Sequence, residues 1–317
     1  MHAPVYQNAL PLLIGPTASG KSAVALRLAR QWGAELLSVD SMKLYRGLEI
    51  GVAKPSAEER AAVPHHLVDI REPWESCSVA EWLKLAESAI ESARLRGVPV
   101  LAEGGTALYI KALREGLFEG PGRDDALRAR LEAQADAQGL APLYARLQAA
   151  DPKAAAKILP GDRRRMIRAL EVLELTGQPI SAHQSQWGTL RADLKVRVVC
   201  IAPERKALYA RIDTRIAKML KAGWLDECRA LLALPKPLSR EATQALGYKT
   251  LFAHLRGETT LAEAQARICF DTHHFARKQL GWYRRFPEAT WIEVRGDETL
   301  DALTARVAQA FAEPHTK

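Results

Sequence analysis

Cysteine is scarce. The four thiols of this 317-residue chain, Cys77, Cys200, Cys228 and Cys269, stand far apart and form no C-x-x-C pair. That spacing excludes a zinc knuckle or a disulfide framework and fits a reducing, cytoplasmic setting. Long apolar runs are also missing. Leu10 to Ile14 is too short for a signal-peptide core or a membrane span, and no later run approaches the roughly 18 apolar residues a span needs. The reading is of a soluble, unprocessed protein with no membrane partner. Internal repeats and low-complexity tracts are absent, and 48% hydrophobic with 26% charged residues excludes a disordered or collagen-like chain. The length suits one large or two modest domains. What is in excess is positive charge: 45 Lys and Arg against 37 Asp and Glu leave a net +8, which makes a polyanion a candidate partner without establishing one.

Over the first third of the chain, short apolar runs alternate with helical spacing. Leu10 to Ile14 reads as a strand, followed by a Gly/Ser-rich turn and a helix from Ala23 to Gln31. The rhythm recurs at Glu35 to Val39 before Asp40, at His66 to Ile70 around Asp69, in a helix from about Val79 to Arg96, and at Val98 to Ala102 before Glu103. Such alternation predicts an α/β fold, a parallel sheet flanked by helices, whose right-handed crossovers gather the loops after the strands along one edge. Gly15, Asp40 and Glu103 are therefore expected to face one crevice. From about Leu117 the pattern changes. Phe118 to Asp124 reads as a turn, and an Ala-rich, Arg-rich helical stretch then runs to about Thr189. Residues 118–190 thus read as a helical insertion domain between two parts of one core, 1–117 and 191–317. The second part carries strands at Val196 to Ile201 and Ala289 to Val294, and helices at about Lys206 to Ala222, Leu225 to Leu232 and Leu261 to Phe286. The end, Glu313 to Lys317, is expected to fray.

Gly15-Pro16-Thr17-Ala18-Ser19-Gly20-Lys21-Ser22 satisfies G-x-x-x-x-G-K-[ST]. Its place between a strand and a helix is the context that motif requires. Glycines let the backbone curl until successive N–H groups point inward, and the helix behind them offers its positive end to an anion. Lys21 adds a point charge, and the Ser22 hydroxyl can ligate a Mg²⁺ that bridges two phosphates. A diphosphate or triphosphate is the expected guest of a P-loop NTPase-like core. The motif leaves open whether phosphate is transferred, as in a kinase, or discarded as a leaving group.

Asp40 ends the second expected strand, across the crevice from this loop. A carboxylate there can take a proton from an attacking nucleophile or hold a metal through water; the alternative is a helix cap. Gly104-Gly105-Thr106 follows the fourth strand and offers a close backbone approach with a hydroxyl, or a second cap. Glu103 reads either as an outer acceptor for hydrated Mg²⁺ or as a buried carboxylate paired with an arginine.

Two helices are basic. From Asp162 to Glu171 the 3.6 period puts Met166, Ile167, Leu170 and Leu173 on one face and Arg164, Arg168 and Glu171 on another. The last long helix carries Arg267, His274, Lys278 and Arg285 beside a strip of Phe275, Gln279, Trp282 and Phe286. Cationic stripes with interleaved aromatics suit phosphate contacts and stacking on an unpaired base. Each taken singly also describes a solvated face.

As a set, these residues resemble the tRNA dimethylallyltransferases, also called tRNA isopentenyltransferases. The match comprises Gly-Pro-Thr-Ala-Ser-Gly-Lys-Ser at 15–22, Ser-Val-Asp-Ser at 38–41, Ile-Gly-Val-Ala-Lys-Pro at 50–55 and His-His-Leu-Val-Asp at 65–69. It continues with Gly-Gly-Thr-Ala-Leu-Tyr at 104–109, Arg-Ala-Leu-Glu-Val at 168–172, Ala-Leu-Gly-Tyr-Lys at 245–249 and Phe-Ala-Arg-Lys-Gln-Leu-Gly-Trp-Tyr-Arg at 275–284. It spans about residues 10 to 295. The resemblance implies transfer of a dimethylallyl group from dimethylallyl diphosphate to N6 of the adenosine just 3′ of the anticodon, position 37 of tRNA, with Mg²⁺ as cofactor and diphosphate released.

Residue by residue, the resemblance implies Asp40 as the base toward N6 and Thr106 as a substrate-positioning hydroxyl. Thr17 to Ser22, within the loop Gly15, Pro16, Thr17, Ala18, Ser19, Gly20, Lys21 and Ser22, is implied as the diphosphate cradle, with Lys21 and Arg215 as its cations. Contacts to the tRNA anticodon stem-loop are implied for Asp40, Ser41, Met42 and Lys43, for Arg164, Arg165, Met166, Ile167 and Arg168, and for Gln244, Ala245, Leu246, Gly247, Tyr248 and Lys249. Arg277, Lys278, Gln279, Trp282 and Arg284 join them, with Thr106 and Arg128, and the insertion is implied to bind the anticodon arm. The chain also departs from the family's pattern: Lys43 stands where many members have Gln, Glu103 where Val is common, His273 where Arg is usual and Gly281 where Thr is frequent. The zinc finger of eukaryotic relatives is absent, so a bacterial type is implied. Two rivals use the same loop. A small-molecule or nucleoside kinase leaves the basic helices and the insertion without a task, and a noncatalytic RNA-binding switch leaves Asp40 without one. Nothing in the sequence demands a dimer, and a monomer is expected.

Overall fold

The computed structural model describes residues 9–117, 120–183, 189–296 and 298–313. Six strands pair in parallel throughout: β1 (Leu10–Ile14), β2 (Glu35–Val39), β3 (His65–His66), β4 (Val100–Gly104), β5 (Val196–Pro203) and β6 (Thr290–Val294). Their order across the sheet is β3-β2-β4-β1-β5-β6. β1 is buried along its whole length, and its unbroken apolar run suits a strand covered on both faces. Proline within an inner strand removes a ladder donor. The register avoids that loss. Leu10 donates its N–H to Lys195 on the β5 side, so Pro11 faces β4, and pairing with β4 begins only at Leu12.

The helices are α1 (Lys21–Trp32), α2 (Ala57–Ala62), α3 (Val79–Leu95), α4 (Ala107–Glu115), α5 (Asp125–Gln138), α6 (Ala141–Ala150), α7 (Pro152–Ala155), α8 (Arg163–Thr176), α9 (Ile180–His183), α10 (Arg205–Lys221), α11 (Trp224–Leu232), α12 (Tyr248–Leu255), α13 (Leu261–Tyr283) and α14 (Leu300–Ala312). The chain divides into two compact units. One runs to Arg114 and resumes at Ala192; the other is Glu115–Arg191. In the first, Val24, Leu28 and Trp32 of α1 and Val307 and Phe311 of α14 share a core with Leu13, Leu36, Leu101, Val199 and Ile201 of the sheet. The Trp32 and Phe311 rings meet edge to face at 5.9 Å. The second unit has its own core, in which α5, α6 and α8 bury Leu131, Leu143, Leu147, Met166, Ile167 and Leu170. α8 starts where the Asp162 carboxylate accepts the Arg165 N–H and stops at Gly177 in the left-handed region.

Several elements differ from expectation. The strand expected from His66 to Ile70 is only His65–His66, because Leu67 and Asp69 turn the chain with φ of 61° and 56°. Asp69 is held in that turn by Lys54 and Arg60. β4 lies two residues later than expected, at Val100–Gly104, which draws Glu103 into the strand itself. α2, α12 and α14 have no counterpart in the sequence reading, whereas α4 begins at Ala107, where a cap at Thr106 would start a helix. Phe118 and Glu119 of the expected turn, residues 184–188 of the expected helical stretch and residues 314–317 of the expected frayed end lie outside the described residues. Among the described residues, no helix is long and apolar enough to cross a membrane.

Candidate active site

The phosphate loop turns directly from β1 into α1. Gly20, at φ 93°, is the residue before the first helical turn, a conformation that L side chains rarely adopt. Gly20 offers no capping side chain and no acidic residue stands in the first turn; the Lys21 N–H makes only a long 3.4 Å bond to the Ser19 hydroxyl, so this helix end can receive an anion. The Lys21 ammonium reaches Pro16 O at 3.5 Å. Desolvation lowers its pKa to about 8, against the opposing pull of Glu103.

A clasp from α13 holds this loop to the turn after β4. Gln279 accepts the Thr17 N–H at 2.9 Å and donates its own amide to Gly105 O at 2.9 Å. Tyr283, fully buried, donates its hydroxyl to Gly105 O at 3.0 Å. A Cβ on Gly105 would lie 2.6 Å from the Gln279 amide, which explains the glycine. Gln279 was expected on an RNA-facing strip. It is instead buried and committed to the phosphate loop, because the face of α13 that carries it packs inward.

Asp40 directly follows β2 on the same edge. Its Oδ1 accepts the N–H groups of Met42 (2.8 Å) and Lys43 (3.4 Å), so it caps a turn, and no helix follows until α2. Oδ2 has no partner among the described residues. Thr106 ties this turn to β4: its hydroxyl oxygen accepts the Ser41 N–H at 3.0 Å, and its own N–H is donated to Val39 O. Arg215, on α10, has no carboxylate partner among the described residues. It borders a cavity of about 500 Å³ together with Arg211, Thr214 and Lys218. Burial lowers its pKa, and the nearby Asp40 charge raises it.

Glu103 and Lys43 form a pair that the sequence reading missed. Lys43 donates to Glu103 Oε1 at 2.7 Å, with the two residues only 6% and 4% exposed. Ser22 donates its hydroxyl to Oε2 at 3.2 Å. The partner of Glu103 is therefore a lysine and not the arginine considered above. Lys43 was expected at the RNA surface, yet its ammonium is spent inside. The legible signal was a lone acid ending an apolar run. Burial opposes ionisation of both groups, but their mutual attraction prevails, lowering the Glu103 pKa and raising that of Lys43.

The remaining candidates separate by burial. Arg164 and Arg165 are exposed on α8, whereas Met166 and Ile167 are core residues of the second unit, which corrects their implied RNA contact. Arg128 and Arg168 are not free cations either. Both bind the fully buried Glu171, Arg128 through two parallel bonds of 2.8 Å and Arg168 through one of 2.6 Å, and Arg168 also reaches Pro121 O at 2.9 Å. Glu171, expected on a solvated face, lies beneath them. Between Gln244 and Lys249, the residues Gln244, Leu246 and Lys249 are exposed. Ala245, Gly247 and Tyr248 are buried, and Tyr248 donates its hydroxyl to Glu227. On α13 and just after it, Arg277, Lys278 and Arg284 are exposed, and Trp282 lies beneath the Arg285 guanidinium at 4.9 Å.

Two family models match the chain, IPP transferase over residues 43–286 and isopentenyl transferase over residues 8–77. A tRNA dimethylallyltransferase of Geobacter metallireducens is 44% identical over 287 residues, covering 90% of this chain and 93% of that protein. The crystal structure of the tRNA isopentenylpyrophosphate transferase of Bacillus halodurans superposes with a TM-score of 0.67 at 36% identity, over 96% of each chain. A eukaryotic dimethylallyltransferase acting on tRNA shares the fold at a TM-score of 0.81 and 22% identity, over 98% of this chain and 81% of that one.

Proposed function

The chain belongs to the tRNA dimethylallyltransferase family, and from that premise we propose how its own residues carry out the reaction. The enzyme transfers a dimethylallyl group from dimethylallyl diphosphate to N6 of adenosine 37 in tRNA. A bond forms from N6 to the allylic carbon, the carbon–oxygen bond to diphosphate breaks, and the N6 proton passes to Asp40. The phosphate-loop amides, Lys21 and Arg215 hold the leaving diphosphate and stabilise its growing charge. Thr106 holds the Asp40 turn in place through the Ser41 N–H. The base must leave the anticodon stack to reach this crevice, as base-modifying chemistry generally requires. One observation carries the reading: the turn after β4 is bonded both to the cradle, through Gln279 and Thr17, and to the Asp40 turn, through Thr106 and Ser41. Leaving group and base are thereby fixed to one support.

Ser22 fits magnesium as a single protein ligand. Among the described residues no cluster of three His, Cys, Asp or Glu could cage a metal, and a hydroxyl beside phosphate oxygens and water is the donor set Mg²⁺ prefers. When bound, the ion neutralises charge on the departing diphosphate. The proposed setting is the reducing cytoplasm, which four free thiols suit, and the proposed state is a monomer. Incubation with unmodified tRNA and either dimethylallyl diphosphate or ATP, followed by nucleoside mass analysis, tests the reaction. Prenylated adenosine is expected; ADP with a phosphorylated small molecule would instead select a kinase.

Two further outcomes follow from the charges. Burial brings the Lys21 pKa down to about 8, so it loses its attraction for diphosphate as pH rises above that value. The kcat/KM for dimethylallyl diphosphate should fall by up to about tenfold per pH unit there. kcat should hold to higher pH, because bound diphosphate keeps the ammonium charged. Lys21→Arg should abolish the fall, and a wild-type profile flat to pH 10 would contradict the assignment. The anticodon stem-loop is proposed to meet the exposed cations of α8, the Gln244 to Lys249 segment and the end of α13. Arg164 has no carboxylate partner among the described residues, so Arg164→Ala should flatten the plot of log Kd for tRNA against log salt by about 0.7 to 1. An unchanged slope would remove α8 from the interface.

A further inference from the structure

The Lys43–Glu103 pair is a poor device for stability. Buried ion pairs can commonly be replaced by apolar side chains at little cost or with a gain, and this one lies at the floor of the phosphate cradle. What an apolar pair could not supply is an acceptor behind Ser22. A serine hydroxyl has one proton and two lone pairs. With its proton donated to Glu103 Oε2, the lone pairs of Ser22 are left free of the carboxylate, and Ser22 itself is exposed. Lys43 occupies Oε1. It pins the carboxylate and cancels a negative charge that would otherwise repel a diphosphate.

We propose that Glu103 is a positioning residue for the metal, aiming the Ser22 hydroxyl at Mg²⁺ with Lys43 as its counter-charge. This rests on the reading above that the cradle holds a magnesium diphosphate. The pair supplies no metal ligand of its own and acts only through the Ser22 hydroxyl, so it tunes affinity for the ion and is not required for the reaction. Partners that orient a metal ligand typically account for about 10- to 100-fold in metal affinity.

The test uses the full-length protein, inorganic diphosphate and Mg²⁺ in calorimetric titrations, with melting of the metal-free protein as a folding control. Lys43→Gln/Glu103→Val removes the pair together and leaves the charge balance of the cradle unchanged. It should weaken Mg²⁺ binding to the diphosphate-saturated protein by about 10-fold or more and leave diphosphate binding in EDTA unchanged. Ser22→Ala, which keeps the buried pair, is the second arm. It should lose Mg²⁺ affinity at least as strongly, and adding the double substitution to it should cost nothing further. Equal Mg²⁺ affinity in wild type and Lys43→Gln/Glu103→Val, or losses that add fully to that of Ser22→Ala, would overturn the proposal. If diphosphate binding in EDTA does not respond to Lys21→Ala, the reading of the cradle itself fails, and this inference falls with it.

Discussion

Asp40→Asn is expected to lower kcat by about 10²- to 10⁴-fold, the range for loss of a positioned general base, while tRNA affinity stays within about threefold of wild type. The exocyclic amine of adenine is a weak nucleophile because its lone pair is delocalised into the ring. Bond formation to carbon makes the nitrogen acidic, and a carboxylate beside it removes the proton as the charge develops. An amide cannot accept that proton. Asparagine does, however, retain an oxygen for the Met42 and Lys43 N–H groups that Asp40 now engages, so the turn should persist. Thr106 continues to hold Ser41 from the other side. Steady-state kinetics with saturating dimethylallyl diphosphate, beside direct tRNA binding, separate the two effects. Parallel losses in kcat and tRNA affinity would make Asp40 a binding residue, and an undiminished kcat would remove it from the chemistry.

Glu171→Ala is expected to destabilise the second unit by about 3 kcal/mol, the lower end of the range for removing one partner of a buried pair. The lower end applies because Arg128 and Arg168 keep 28% and 29% of their side-chain exposure and so retain some water. Glu171 accepts from both guanidiniums and from the Asp124 N–H at 2.9 Å, which joins the start of α5 to α8. Glu174, three residues on, binds Arg130 and Arg146, whose side chains are 66% and 41% exposed against 28% and 29% for the partners of Glu171. Glu174→Ala should cost less than about 1 kcal/mol, as exposed pairs do. Denaturant unfolding, with hydrogen exchange over residues 120–183, distinguishes the two. Equal costs would deny Glu171 its role. The pH dependence has a definite sign. Burial opposes ionisation of Glu171, but Arg128, Arg168 and the Asp124 N–H together bring its folded pKa below the ordinary 4.5. Its contribution is therefore complete above that value and disappears as pH falls through the lowered one. The wild-type unit should lose this advantage over Glu171→Ala in acid.

α8 also separates two kinds of sequence argument. Hydrophobic periodicity put Met166 and Ile167 on the inward face, and they are core residues; the family resemblance placed the same two among RNA contacts. The local pattern was the better guide because burial of a helix face follows from its own spacing. Glu171 escaped the same pattern. Periodicity gives the angle at which a side chain leaves its helix, but not which neighbouring helix stands there, and α5 brings Arg128 over a face that α8 alone would leave wet.

The strand, glycine loop and helix of residues 10 to 32, the parallel sheet and the position of Asp40 at a strand end were all legible without coordinates. Each depends on residues adjacent in the chain, where dihedral preference, spacing and the needs of a backbone anion cradle act directly. The pairing of Lys43 with Glu103 and the hold of Gln279 on Thr17, separated by 60 and 262 residues, could arise only once the sheet had ordered its strands and α13 had packed beside them. A buried charge or amide takes whichever partner the fold brings within about 3 Å, and chain proximity does not determine that partner.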